Sequence, residues 1–217
     1  MQQSNDTATN IAEYLLQIKA IKLSPSNPFT WASGLKSPIY SDNRLSLSHP
    51  AIRTDIKKAL AMEITKCYPG ADAIIGVATA GIAPGALVAD EMNLPFGYVR
   101  SEAKKHGMGK QVEGDIQPGA KVVVVEDLVS TGKSSLQAIE TLRDFGVEVL
   151  GLASIFTYGF AVANENFLKA NCPMFSLSNY DALIKVAAEK GYVSLSEKET
   201  LSTWAQDPEA WSNGQGK

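Results

Sequence analysis

The run VVVVEDLVSTGKSS, residues 122–135, constrains this chain more than any other segment. Four consecutive valines suit a strand covered on both faces, because a strand with one wet face would alternate apolar and polar positions. That strand delivers Glu126 and Asp127 at its carboxyl end. A short Ser/Thr/Gly loop then leads into a helix with Leu136, Ile139, Leu142 and Phe145 at three-residue steps. The helix is expected to start near Ser130 or Thr131, and Gly146 stands where a helix-ending glycine belongs. A buried strand that feeds an amphipathic helix is half of a strand-helix-strand unit. The expected fold is therefore α/β, with a mostly parallel twisted sheet flanked by helices and ligands bound at the carboxyl ends of the strands.

The GKS within this run invites comparison with the nucleotide-binding loop G-x-x-x-x-G-K-[ST]. Counting back five residues from Gly132 gives Asp127, not glycine. A carboxylate there, with Glu126 beside it, repels a triphosphate and removes the backbone freedom that the loop needs. A different ligand fits. Unpaired N–H groups at the start of the helix, its dipole, and the hydroxyls of Ser130, Thr131, Ser134 and Ser135 form a phosphate cradle. Glu126 and Asp127 stand nearby to accept hydrogen bonds from hydroxyls, so a sugar phosphate matches the set. Read singly, Ser130 or Thr131 serves equally well as an ordinary helix cap and the acids as solvated groups. Taken together they are harder to explain without a ligand, since a buried strand has little reason to end in adjacent acids.

The rest of the chain supplies the expected partners. Ile11, Tyr14, Leu15, Ile18 and Ile21 predict an amphipathic helix over residues 11–21, and FTWASGLKSPIYSD over residues 29–42 predicts a hairpin around its Ser-Gly turn. A second helix follows His49-Pro50, with Ile52, Ile56, Leu60 and Ile64 on one face, and ends near Pro69-Gly70. Strands are expected at AIIGV (73–77), PFGYV (95–99) and VEVLGLASIF (147–156), with helices over residues 83–92 and 133–145. Two further helices, over residues 180–190 and 197–205, are expected to complete the packing of the sheet.

Composition narrows the function. A chain of 217 residues with 45% hydrophobic and 20% charged residues suits one domain with a sizeable core. A net charge of −3 offers no general attraction to nucleic acid or to an anionic membrane. No apolar run approaches the roughly eighteen residues of a membrane span. Cys67 and Cys172, far apart and without zinc-ligand spacing, point to a reducing, cytoplasmic setting.

A second chemical segment is YVRSEAKKHGMGKQVEGD, residues 98–115. Three glycines, four basic side chains and almost nothing apolar between Ser101 and Asp115 cannot pack on their own, which predicts a mobile lid. Val112 stands where a dinucleotide fingerprint would need its third glycine. Alone, such a loop is most often just solvated. Beside a phosphate cradle, its cations gain a leaving group to hold.

EDLVSTGKSS resembles the signature with which type I phosphoribosyltransferases hold phosphoribosyl diphosphate (PRPP). Arg100, Lys104 and His106, spaced by Glu102-Ala103, resemble the catalytic loop of the members of that family that act on orotate. FTWASGLKSPIY is similar to their N-terminal hairpin, which purine-salvage members are not expected to carry, and GVATAGIAPGA to their diphosphate-side loop. The chain departs from the pattern at Ser101, where many members carry a second cation, and in IFTYGF, which lacks an arginine found in some.

The resemblance implies a type I phosphoribosyltransferase fold. Residues 1–48 would form an N-terminal hood of helix and hairpin, and residues 49–217 a PRPP-binding core with a flexible catalytic lid. It also implies magnesium, bound mainly through PRPP, and a cytoplasmic homodimer whose lids reach across the interface. PRPP would be held by Arg100, Lys104, Lys105 and His106 and by residues 126–134: Glu126, Asp127, Leu128, Val129, Ser130, Thr131, Gly132, Lys133 and Ser134. Lys104, His106 and Asp127 would carry the catalysis. Orotate would meet Ser130, with Lys36 or Arg44 neutralising its carboxylate. Thr79-Ala80-Gly81 either brings backbone N–H groups to the diphosphate or only turns the chain into the next helix. A purine phosphoribosyltransferase and a PRPP-sensing regulator remain alternatives on the same fold, although a regulator should add a DNA-binding helix that this chain does not display.

Overall fold

A computed structural model describes residues 5–31, 33–100 and 111–214. In chain order the helices are α1 (Asn5–Gln17), α2 (Pro50–Cys67), α3 (Ile82–Met92), α4 (Lys133–Phe145), α5 (Ala161–Lys169), α6 (Tyr180–Glu189), α7 (Leu195–Gln206) and α8 (Pro208–Gly214). The strands are β1 (Ile21–Leu23), β2 (Phe29–Thr30), β3 (Lys36–Ser37), β4 (Ile39–Ser41), β5 (Ala73–Val77), β6 (Phe96–Val99), β7 (Val112–Glu113), β8 (Lys121–Val129), β9 (Glu148–Thr157) and β10 (Met174–Asn179). Among the described residues, no helix is long and apolar enough to cross a membrane.

The chain divides into two compact units, His49–Leu177 and a second made of Met1–Ser48 with Ser178–Lys217. The first contains most of a six-stranded sheet of order β10-β9-β8-β5-β6-β7, in which β5 runs parallel to β6 and β8, β8 parallel to β9, and β7 antiparallel to β6. Val122, Val123, Val124 and Val125 are all fully buried, as the valine run requires of a central strand with helices on both faces. One face meets α4, whose Ala138, Ile139 and Leu142 share a core with Ile75, Val77, Val122 and Val124. α3 packs on β5 and β8, with α2 beside it.

The expected boundaries of α2, α3, α4, β5, β6 and β9 agree with the structure to within a residue or so, apart from a two-residue overrun at the end of α2. Elsewhere the structure differs. β8 runs on to Val129, so Glu126 and Asp127 lie within the strand rather than after it. α4 begins at Lys133, the start of the expected span 133–145, and not at Ser130 or Thr131, where its N-terminus was also expected. α5 and β10 were not foreseen, because their sequences carry neither a clear 3.6-residue nor a clear two-residue period.

In the other unit, α1 begins at Asn5 and ends at Gln17, and Ile21 opens β1 instead of closing a helix. The single hairpin expected over residues 29–42 is two antiparallel ribbons, β2 with β3 and β1 with β4. Pro38 lies between β3 and β4; it has no N–H for a ladder, and its carbonyl accepts from Ser24 N at 2.7 Å. The C-terminal helices group with this unit rather than completing the sheet. α6 packs on α1, the Ser178 hydroxyl donates to Ala8 O at 2.8 Å, and the rings of Trp31 and Trp204 meet edge to face at 5.9 Å.

Candidate functional site

The carboxyl ends of β5, β6 and β8 bring Arg100 and the turn after β5 to the start of α4, which follows the acid pair and the loop over residues 130–132. The loop is fixed from below. Thr157, in register with Val129, donates its hydroxyl to Val129 O at 3.0 Å, and Tyr158 N–H donates to the same carbonyl at 3.2 Å. From the side, Asn166 Nδ2 on α5 donates to Thr131 O at 3.2 Å. These supports were not legible in the sequence, since they come from β9 and α5 and depend on the topology.

Gly132 is the N-cap residue of α4, at φ 78°, and its position receives no side-chain cap. Neither Ser130 nor Thr131 caps the helix, so the ordinary explanation of those hydroxyls fails here. The helical ladder opens with Leu136 N–H donating to Gly132 O at 2.9 Å. The N–H groups of Lys133, Ser134 and Ser135 therefore precede it and form the positive end of the helix dipole. Thr131, Lys133 and Ser134 are exposed and Ser130 is half-buried. This is the arrangement expected of an anion cradle.

Ser135 departs from that expectation. It is buried, and its hydroxyl turns inward to donate to Glu126 Oε2 at 3.4 Å. Asp127 N–H donates to Glu126 Oε1 at 3.1 Å. Burial, and then the charge of Asp127, push the Glu126 carboxyl up to about 9, far above the ordinary range for a carboxylate. Asp127 is half-buried.

On the other side, residues 78–81 turn from β5 into α3 through a cis Ala78–Thr79 peptide. Gly81 is needed for close approach, because a Cβ there would lie 2.5 Å from Val125 O on β8. Arg100, at the end of β6, lines a narrow cleft with Ala78, Gln111 and Ser134, so one predicted cation reaches the start of α4. Its guanidinium lies 3.6 Å from Glu113 Oε1. A larger open groove of about 780 Å³ runs along α4 and α5 but touches the loop only through Thr131 and Lys133. Lys104, Lys105 and His106 lie outside the described residues.

In the other unit, Lys36 is exposed and its Nζ donates to Thr30 Oγ1 at 2.9 Å. Arg44 makes a two-pronged contact with Asp42, at 2.6 and 3.0 Å, and that contact holds the Asp42 carboxyl below its usual range. Among the described residues, no three His, Cys, Asp or Glu side chains gather as a metal-ligating group.

A mostly parallel sheet whose central strand carries two acids close to its carboxyl end, ahead of an uncapped helix start, is the arrangement expected of a phosphoribosyltransferase, and residues 46–180 match the phosphoribosyl transferase domain family. Nearly the whole chain is similar to orotate phosphoribosyltransferase of Porphyromonas gingivalis, with 53% identity over 201 residues covering 93% of this chain and 96% of the relative. The enzyme of the same name from Listeria monocytogenes is 51% identical with the same coverage. Among solved structures, orotate phosphoribosyltransferase from Aeropyrum pernix superposes with a TM-score of 0.73 at 30% identity, covering 85% of this chain and 99% of that one. The chain belongs to the orotate phosphoribosyltransferase family.

Proposed function

We propose that this enzyme transfers the ribose 5-phosphate group of PRPP to N1 of orotate, giving orotidine 5′-phosphate and diphosphate in pyrimidine nucleotide synthesis. The bond from ribose C1 to the diphosphate oxygen breaks, the bond from C1 to N1 forms, and N1 gives up its proton. The observation that carries this reading is the β8-loop-α4 unit, which sets an acid pair beside a helix start that no side chain caps. Asp127 accepts from the ribose hydroxyls, and the backbone of residues 128–132 with Thr131, Lys133 and Ser134 receives the 5-phosphate.

Departure of diphosphate leaves positive charge on the ribose ring, so the transition state is favoured by cations on the leaving group and firm holding of the sugar. Arg100 is one such cation, and Lys104, Lys105 and His106 are proposed as the others. Magnesium prefers phosphate oxygens and water and is proposed to enter already bound to PRPP. Ser130 meets the base. Of the two cations considered for the orotate carboxylate, Lys36 is the better choice, because the charge of Arg44 is already met by Asp42. The location proposed is cytoplasmic and the assembly a homodimer with shared lids.

The test is loss of orotate absorbance in the presence of PRPP and magnesium, compared between the native protein and Lys104→Ala. Turnover in the native protein and at least a tenfold loss in the variant are expected. Absence of turnover with orotate would remove the proposal, and full activity of the variant would remove Lys104 from the leaving-group site.

A further inference from the structure

The loop that leads into α4 changes backbone direction at Gly132, and part of what holds it there lies on another element. Gly132 is left-handed, at φ 78° and ψ 0°, and Lys133 opens the right-handed helix. A left-handed residue followed by a helical one turns its own N–H and the next two to one side, so Gly132, Lys133 and Ser134 offer three donors to one anion. The last two belong to α4 and take their direction from it. The first belongs to the Thr131–Gly132 peptide and is only as well aimed as that peptide.

Asn166 on α5 acts on that peptide. Its Nδ2 donates to Thr131 O at 3.2 Å, and among the described residues it is the donor that meets this carbonyl. In a trans peptide the C=O and the following N–H point in opposite directions, so a carbonyl drawn towards α5 sends Gly132 N–H away from it. Next to Asn166, the ring of buried Phe167 leaves no room for a side chain on Gly132, where a Cβ would lie 2.6 Å from Phe167 Cε2. α5 therefore fixes both the left-handed residue and the direction of its N–H. Val129 O, two residues before Thr131, is held differently: it accepts from the Thr157 hydroxyl and from Tyr158 N–H, so loss of one leaves the other.

We propose that Asn166 is a positioning residue for PRPP, which aims Gly132 N–H at the 5-phosphate by holding Thr131 O from the side away from the ligand. This deepens the reading of the loop as the 5-phosphate site and rests on it. Asn166 does not touch the substrate; it stands on the wall of the open groove along α4 and α5, which Thr131 and Lys133 also line. The 5-phosphate takes no part in bond making or breaking and is held alike in the ground state and the transition state. Loss of one aimed N–H should therefore raise the KM for PRPP and leave kcat nearly unchanged.

The test compares the native protein with three variants. Asn166→Ala should raise the KM for PRPP about three- to tenfold, the range that one hydrogen bond supports, with kcat and the KM for orotate within about twofold of native. Asn166→Asp keeps the shape, lacks the N–H and should lose at least as much. Thr157→Val should lose less, because Tyr158 N–H still holds Val129 O. Calorimetric titration with ribose 5-phosphate, which carries the phosphate but no diphosphate, should give the same order of affinities. Native affinity of Asn166→Ala for both PRPP and ribose 5-phosphate, even with a lowered thermal midpoint, would make Asn166 a support of the fold only and overturn the proposal. Equal losses in Asn166→Ala and Thr157→Val, or a fall in kcat with KM unchanged, would overturn it too. A native protein that binds neither PRPP nor ribose 5-phosphate would defeat the reading of the site itself, and the proposal with it.

Discussion

Asp127 and Glu126 are neighbours in the chain, but Glu126 is buried and Asp127 half-buried, and Asp127 is the acid proposed to hold the ribose. A charge-assisted hydrogen bond contributes about 1.5–3 kcal/mol, so Asp127→Asn should lower kcat/KM by about ten- to a hundredfold without unfolding the protein. Near-normal turnover would mean that Asp127 does not touch the ribose. A second residue tests the fold instead of the chemistry. Tyr68 is buried at the end of α2, with its hydroxyl 3.0 Å from Pro173 O and 3.3 Å from Leu152 O and its ring stacked on Phe175. Burial raises its phenol well above the usual range, so it remains a hydrogen-bond donor at any working pH. Tyr68→Phe should cost about 1–2 kcal/mol of stability, because an interior hydrogen bond is lost even though Pro173 O still accepts from Leu152 N–H. An unchanged urea midpoint would contradict that.

At the scale of elements, the sequence was legible where one physical signal dominated. The valine run, the three-residue steps of α4 and Pro50 at the start of α2 each had a single reading, and each element is present there, although β8 runs on past the valines to Val129. Ile21 followed the helical spacing of Ile11 and Ile18 but serves a strand, because an apolar residue fits the buried face of either element. In the site, the acids and the loop could be read directly, since their residue types are unusual after a buried strand. The inward turn of Ser135 could not, because Ser134 and Ser135 differ only in which face of α4 they occupy. The support from Thr157 and Asn166 was hidden in elements with weak periodicity.

The loop before α4 carries its own prediction. Gly132 combines a positive φ of 78° with a crowded site, where a Cβ would lie 2.6 Å from Phe167 Cε2, whereas Gly191, at φ 74°, has nothing within 4 Å of that position. Gly191→Ala should therefore cost about 1 kcal/mol from the backbone alone. Gly132→Ala should cost about 1–3 kcal/mol more as the ring is displaced, and it should also weaken PRPP binding. Equal destabilisation in urea titrations would show that the Phe167 contact does not hold the loop.

For the whole molecule, the proposed homodimer makes a quantitative claim. If the lid of one subunit serves the site of the other, Lys104→Ala and Asp127→Asn homodimers should each be nearly inactive, and mixing them should create heterodimers with one doubly damaged site and one intact site. Random exchange makes half the dimers mixed, so roughly a quarter of native activity should return, as two-fold symmetry requires. No recovery after demonstrated subunit exchange would mean that each lid closes on its own chain.

The central claim, transfer of ribose 5-phosphate to orotate and not to a purine, is tested most directly by competition. The protein would receive limiting PRPP with magnesium and equal concentrations of orotate, adenine, hypoxanthine, xanthine and uracil, and the nucleotide formed would be identified by mass. Orotidine 5′-phosphate as the dominant product, with one diphosphate released per nucleotide, is the predicted result. A purine nucleotide as the dominant product, or no nucleotide at all while PRPP is still bound, would contradict it.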